Sequence, residues 1–296
     1  MSETPNATPG GLAGIGRFLE IQNLGLNLPF AIAFLLIAAD GLPSWETIVL
    51  VIIAFVAARN AGHSFNRWAD RRYDAANPRT QQRALVTGRA SPGFALAFCA
   101  ANAVILVVAA YFLNPLAFAL SPVALAIILG YSYTKRFTSL TTPFLGLVEA
   151  ITPAAMFIAV QGALPPDVLL AVGGLLLWGT AFETIHSLGD VESDRELGLF
   201  SLPRSWGVRR SVRIVPVLHG LALGLLFTFG LAYGLTRPYY LGLVGMAVIV
   251  TFTDIALAAR PTETRTPFRW HFVMSTLFLA GSAVAVFLPY GAVTLH

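Results

Sequence analysis

Residues 46–83 read "ETIVLVIIAFVAARNAGHSFNRWADRRYDAANPRTQQR", and the two halves of this stretch obey different rules. Residues 46–64 are predominantly apolar and match the roughly 20 residues that a helix needs to cross a bilayer. The second half then sets Asp70 and Asp74 one helical turn apart. Like charges at i and i+4 repel, and carboxylates near a helix C-terminus also face the negative end of its dipole. Two aspartates at the end of a membrane helix therefore require cationic compensation from somewhere else in the chain.

The rest of the chain repeats the first half of this pattern. Its 296 residues are 56% hydrophobic and only 11% charged, with a mean hydropathy of +0.71. That balance lies outside the soluble globular range and inside that of multi-span membrane proteins. Apolar runs predict about nine transmembrane helices, near residues 24–40, 47–66, 93–113, 116–133, 142–161, 167–187, 212–233, 239–259 and 271–289. The first and fourth are short. The expected fold is all-α and polytopic, with a polar tail over residues 1–22 and one transmembrane domain over 23–296. The single cysteine, Cys99, excludes an intramolecular disulfide. No Lys or Arg precedes Arg17, so the N-terminus lacks the basic region of a cleaved signal peptide.

Orientation follows from the basic residues, because short cytoplasmic loops collect Lys and Arg. Of the 19, all but Arg59 and Arg237 fall before the first span or after an even-numbered one. The N-terminus and these loops are expected to be cytoplasmic. Positive-inside bias accounts for the arginines by itself; it does not account for the acids among them.

Those acids recur. After the sixth span the chain reads "FETIHSLGDVESDRELGLFSLPRSWGVRR", with Asp190 and Asp194 again at i and i+4, 120 residues (190−70) beyond the first pair. Both copies run on to a Pro-Arg dipeptide, Pro78-Arg79 and Pro203-Arg204. Four spans per step suggest two related halves, about 23–140 and 141–260, followed by a final helix. On a helix, Asn66, Asp70 and Asp74 share one face, as do Glu183, Asp190 and Asp194. Two such faces can enclose a hard divalent cation that keeps some water and shares ligands with phosphate oxygens, which points to magnesium with a diphosphate. Arg71, Arg79 and Arg195 would hold the remaining phosphate charge. The plainer alternative is that these acids pair with Arg67, Arg71 and Arg195 at i,i+3 and i,i+4 spacing, at a few tenths of a kcal/mol per pair. Lys135, the only lysine beside 18 arginines, offers a compact ammonium for phosphate, with Tyr131 one turn before it.

Taken together, the loops resemble the UbiA family of intramembrane prenyltransferases, particularly the bacterial members that prenylate quinone precursors. The resemblance covers most of residues 20–290. It rests on N-x-x-x-D-x-x-x-D at Asn66, Asp70 and Asp74 with the following "NPRT", on "GYSYTKRFT" with Tyr131 and Lys135, and on "GDVESDRELGLFSLP" with Asp190 and Asp194. It implies nine helices around a central cavity, open laterally to lipid and capped by cytoplasmic loops, in the cell (inner) membrane. The implied reaction is Mg2+-dependent transfer of a polyprenyl group from its diphosphate to a hydroxybenzoate- or dihydroxynaphthoate-like aromatic acceptor. Nucleic acid is not an expected partner.

The chain departs from that pattern where an acceptor would bind. Relatives often carry Tyr and Gln upstream of the second motif where this chain has His186 and Gly189, and the usual Pro of R-x-L-P-x-G is Val86. Glu149 interrupts a stretch, "LGLVEAITP", that is commonly apolar or small. Arg59, His63, Glu183 and His186 lie at helical spacings from the acidic faces and are the candidate acceptor-binding residues, Arg59 being the partner for an acceptor carboxylate. Intramembrane ionisable groups are functional candidates by default, although Arg59 and Glu183 could equally form a pair that joins two helices. Transfer to a non-aromatic acceptor, cyclisation of the prenyl chain and secondary transport are the competing functions. The last of these predicts a midplane site.

Overall fold

A computed structural model describes residues 27–261 and 263–288; the expected tail and Arg17 lie outside the described residues. Those residues form eleven α-helices and no strand. They are α1 (Leu28–Ala39), α2 (Trp45–Ala76), α3 (Pro92–Leu113), α4 (Pro115–Thr134), α5 (Thr141–Gln161), α6 (Val168–Leu188), α7 (Val191–Glu196), α8 (Leu202–Trp206), α9 (Val208–Ala232), α10 (Arg237–Ala259) and α11 (Arg265–Phe287). Eight are long and apolar enough to cross a membrane; α1, with 12 residues, is not. The short first span anticipated from the sequence is therefore a partial one. Its length of about 18 Å is well below a hydrocarbon thickness of about 30 Å.

Local chemistry fixes the element boundaries. Ser44 caps α2, its Oγ accepting from Thr47 N–H at 3.2 Å, and Glu46 sits favourably in the first turn. At its other end α2 runs ten residues past the expected boundary. No Gly or Pro interrupts residues 63–77, and Pro78 then bars the preceding residue from helical geometry, leaving Asn77 extended at φ −94°, ψ 119°. The first aspartate pair thus rides on a helix that projects beyond its apolar part. Asn114 serves two helices, closing α3 and opening α4. Its Oδ1 accepts from Ala117 N–H at 2.9 Å, and its Nδ2 donates to Ile158 O on α5 at 2.8 Å.

The helices turn apolar side chains outward, Leu241 and Phe252 being 69% exposed, as expected where lipid replaces water. Inside, α1 inserts Phe30 and Phe34 against Phe278, Phe229 and Trp178. Small residues set the closest helix crossings. A Cβ on Gly179 of α6 would lie 2.8 Å from Glu149 Cγ and 2.9 Å from Gly146 Cα of α5. Gly179→Ala is accordingly expected to lower the melting temperature of the detergent-solubilised protein by about 4–8 °C, equivalent to about 2 kcal/mol of overpacking. Gly224→Ala, whose added Cβ meets nothing within 4 Å, is the matched control in the same thermal scan. Asp254, for which the sequence suggested no role, bonds His219 Nδ1 at 3.0 Å and so ties α10 to α9.

Candidate active site

A cavity of about 1570 Å3 runs between α2, α4, α5 and α6. Its wall is mainly apolar, from Val51 and Phe55 of α2 through Ile127 and Ile128 of α4 to Leu145 and Met156 of α5. At the arginine-rich end the lining becomes polar, with Asn66, Arg67, Arg79, Arg83, Tyr131 and Glu183. Arg59, His63 and His186 also line it. Leu120 and Val123 of α4 line the cavity while remaining 39% and 53% exposed, so this wall is also outer surface.

The cations that the aspartate pairs require come from other loops. Asp70 is 2% exposed and its Oδ2 accepts from Lys135 Nζ at 2.6 Å and from Asn66 Nδ2 at 2.9 Å. Asp74 holds Arg83 at 2.6 Å. Asp190 receives a bidentate bond from Arg79, Nε to Oδ1 at 3.0 Å and the terminal nitrogen to Oδ2 at 2.5 Å. Asp194 is pushed above the usual carboxylate range by burial, reinforced by the Asp190 charge and opposed by the charges of Lys135 and Arg204. The loops are also joined through backbone, Phe200 N–H donating to Lys135 O at 2.7 Å. Tyr131 donates to Glu183 Oε1 at 3.4 Å and lies within electrostatic reach of Asp70 and Asp194. The structure thus brings Asn66, Asp70, Asp74, Lys135, Arg79, Tyr131, Glu183, Asp190 and Asp194 to one end of the cavity.

Three expectations need correction. Arg71, one residue and about 100° round the helix from Asp70, points away from the cavity and donates to Trp68 O at 2.8 Å. Arg195 on the short α7 bonds Glu192 at 3.0 Å with its side chain 63% exposed. Neither joins the cluster at the end of the cavity. Glu183 accepts from Tyr131 and Ser187, so it is not the helix-joining partner of Arg59. Among the described carboxylates, Glu149 is one on which the Arg59 charge acts. The plainer reading of local i,i+3 and i,i+4 pairs does not hold for the aspartates either, since the partners of Asp74, Asp70 and Asp190 lie 9, 65 and 111 residues away (83−74, 135−70 and 190−79).

Sequence reasoning missed Arg83 and Asn27 as site residues, and it marked Glu149 as a departure without placing it among the acceptor-binding residues. Asn27 Nδ2 donates to Glu149 Oε1 at 2.8 Å in the cavity wall. The departure at Glu149 carried its own signal; Arg83 did not. It reaches Asp74 only because the chain doubles back after Asn77, whose carbonyl accepts from Thr80 and Gln81 at 2.9 Å.

A divalent cation fits these residues on one specific observation. Asp70 Oδ1 is buried with no hydrogen-bond donor, its nearest cation being Arg136 at 3.9 Å. An unused carboxylate oxygen of this kind is a ligand position. Among the described residues no three carboxylate, imidazole or thiol groups converge on one point. The remaining ligands would have to come from water and phosphate oxygens, as magnesium prefers.

The apo structure of a UbiA homolog from Aeropyrum pernix K1 superposes with a TM-score of 0.81 at 30% identity, over 89% of this chain and 98% of that one. A UbiA homolog from Archaeoglobus fulgidus, bound to GPP and Mg2+, shares the fold at a TM-score of 0.68 and 20% identity, over 92% of this chain and 98% of its own. Two 4-hydroxybenzoate octaprenyltransferases match the sequence. That of Alcanivorax borkumensis is 34% identical over 78% of this chain and 82% of its own length, and that of Azotobacter vinelandii is 33% identical over 82% and 85%. Fold, site and relatives together define an integral membrane prenyltransferase. The pattern of the UbiA prenyltransferase family spans residues 27–291, and the chain belongs to that family.

Proposed function

We propose that the protein transfers a polyprenyl group from its diphosphate to a hydroxybenzoate- or dihydroxynaphthoate-like quinone precursor, using Mg2+ held by Asp70, Asp74, Asp190 and Asp194 with Asn66. The observation that carries this reading is the junction of a long apolar cavity, polar at its arginine-rich end, with the buried Asp70 and Asp74 and the half-buried Asp190 and Asp194. A polyprenyl tail matches the apolar part, and the α4 wall that doubles as outer surface gives it a lateral route from the bilayer. A diphosphate matches the polar part. Bound magnesium would supply charge neutralisation on the leaving diphosphate. Lys135 and Arg79 add donors aimed at the same oxygens, and Tyr131 and Asn66 orient the group. As the allylic C–O bond breaks, the apolar wall excludes water from the developing carbocation, leaving the acceptor ring carbon as the nucleophile. The ring proton is then lost to His186 or to an oxygen of the departing diphosphate. By the positive-inside bias, this end faces the cytoplasm of a bacterial inner membrane.

The acceptor would sit deeper, about 10 Å from Asn66 along α2, where Arg59 lines the cavity and would meet an acceptor carboxylate. Arg59→Ala is expected to raise the apparent KM for a carboxylate-bearing acceptor at least tenfold while prenyl diphosphate KM stays within about threefold, a difference of roughly 0.65 kcal/mol. Initial-rate kinetics with each substrate varied in turn will separate the two. Glu149 favours a second reading, because a carboxylate beside Arg59 already supplies part of its counter-charge. On that reading the acceptor carries a neutral hydrogen-bond donor instead and need not be aromatic. Purified protein with Mg2+, a panel of prenyl diphosphates and acceptors with and without a carboxylate, analysed by mass spectrometry, tests both readings. Absence of any prenylated product across the panel would remove the first.

A further inference from the structure

On the side of α2 away from the cavity, Trp68, Arg71, Arg72, Tyr73, Tyr133 and Arg136 surround a second concavity of about 340 Å3. At about 1.5 Å per residue, Trp68 to Tyr73 lie about 35–42 Å along α2 from Trp45. A hydrocarbon core of about 30 Å within a bilayer of about 40–45 Å puts these residues at headgroup depth.

The groove contains three guanidinium groups and its lining has no carboxylate. Two of them are held in place by neutral partners. Arg71 donates to Trp68 O at 2.8 Å and lies 5.4 Å from the Trp68 ring centre. Arg136 donates to Ala69 O at 2.8 Å, with its guanidinium carbon 4.5 Å from the Tyr133 ring centre and 5.5 Å from that of Tyr73. Carbonyl oxygens and ring faces orient a guanidinium without cancelling its charge. Arg136 Nε is in addition buried and without a hydrogen-bond partner. The nearest carboxylate to Arg136 is Asp70 at 3.9 Å, whose other oxygen is already taken by Lys135 at 2.6 Å. Three positive charges at headgroup depth, two of them oriented and all flanked by interfacial aromatics, share a groove whose lining holds no anion. On the next turn of chain Phe137 and Leu140 are 68% and 65% exposed, which suits residues that dip into a bilayer surface.

We propose that this groove binds the phosphodiester of an anionic membrane lipid, with the lipid phosphate bridging Arg71, Arg72 and Arg136. Basic pockets between helices at this depth provide both the charge and the geometry for such a headgroup. Arg136 faces the groove on one side and Asp70 on the other. A phosphate in the groove neutralises Arg136 and leaves Asp70 the more available to a cation. The binding site stands on the groove alone; the effect on turnover rests on the prenyl-transfer reading above.

The test is native mass spectrometry of the full chain in neutral detergent, titrated with dioleoylphosphatidylglycerol or dioleoylphosphatidylcholine. Each arginine at a membrane surface favours anionic lipid about fivefold. The wild type should therefore retain phosphatidylglycerol at least about tenfold better than phosphatidylcholine. The Arg71→Gln/Arg72→Gln double variant should lose most of that preference. Arg209→Gln/Arg210→Gln, which removes equal charge from the start of α9, should keep it. If the double variant proves unstable, Arg72→Glu alone, at an exposed position, carries the same expectation. Equal phosphatidylglycerol retention by wild type and groove variants overturns the proposal, as does equal loss in the α9 control. Inorganic phosphate that displaces the lipid at millimolar concentration would assign the groove to a soluble phosphate and overturn the lipid assignment. In nanodiscs, adding phosphatidylglycerol to phosphatidylcholine should raise prenyl transfer about threefold for the wild type and not for the groove variant. Selective lipid binding without any prenyl transfer would retain the site and discard the reaction.

Discussion

Replacing Asp70 with Asn is expected to reduce turnover by about three orders of magnitude while leaving the protein inserted and folded. The carboxylate is 2% exposed and carries a buried oxygen that has no donor, so the amide would remove both the charge and a ligand. Taken by itself, the i, i+4 repulsion between Asp70 and Asp74 would make this substitution stabilising. The structure reverses that expectation. Asp70 is bonded to Lys135 at 2.6 Å, and neutralising it leaves the ammonium without its counter-charge at a cost of about 1–3 kcal/mol. Single-turnover assays over a magnesium titration, with thermal unfolding of the same preparations, test both halves. Near-normal turnover at any magnesium concentration would end the metal assignment.

Lys135→Ala should lower turnover by about 10²- to 10³-fold and raise the prenyl diphosphate KM more than that of the acceptor, because the lost donor is assigned to the leaving group. Lys135→Arg should recover part of the loss. The side chain already bonds Asp70, so its role is shared: it holds the carboxylate in the absence of substrate and moves its charge toward phosphate when substrate arrives. A double-mutant cycle between Asp70→Asn and Lys135→Ala should show strong non-additivity. If the two losses simply add, or the diphosphate KM is unchanged in Lys135→Ala, Lys135 returns to being an orienting charge of the basic face.

What could be read from the chain was whatever repeats with a period. Apolar runs of about 20 residues located the helices, and the i, i+4 spacing marked Asp70–Asp74 as one face of α2; the second face expected from Glu183, Asp190 and Asp194 does not exist as such, because α6 ends at Leu188 and Asp190 caps the separate α7. What could not be read was pairing across loops. Arg71 and Arg83 are both arginines close to the first motif, yet only Arg83 meets an aspartate, because a turn after Asn77 returns the chain to the helix it has just left. A helical wheel stops at the last helical residue and cannot represent that reversal. Glu149 illustrates the opposite case. Its oddity was visible as an acid in an apolar run, but its partner Asn27 lies 122 residues away and shares no motif with it. The length of α2 was underestimated for a related reason: hydropathy reports where lipid ends, whereas the helix ends at Pro78.

The His219–Asp254 bond bears on how the chain is made. An acidic residue that enters lipid alone opposes insertion by up to about 2.5–3.5 kcal/mol at the centre of a spanning helix and by less toward its end, where Asp254 lies five residues before Ala259. Asp254 does not have to enter alone, because His219 lies on the helix synthesised immediately before it and only residues 233–236 separate α9 from α10. By the time Asp254 leaves the ribosome its partner is already at the membrane. The two helices can then enter as a hairpin, with the acid's hydrogen bond formed during insertion and not after it. Reversing the order of these two helices would keep every contact of the finished bundle, yet it would present the insertion machinery with an unpartnered acid.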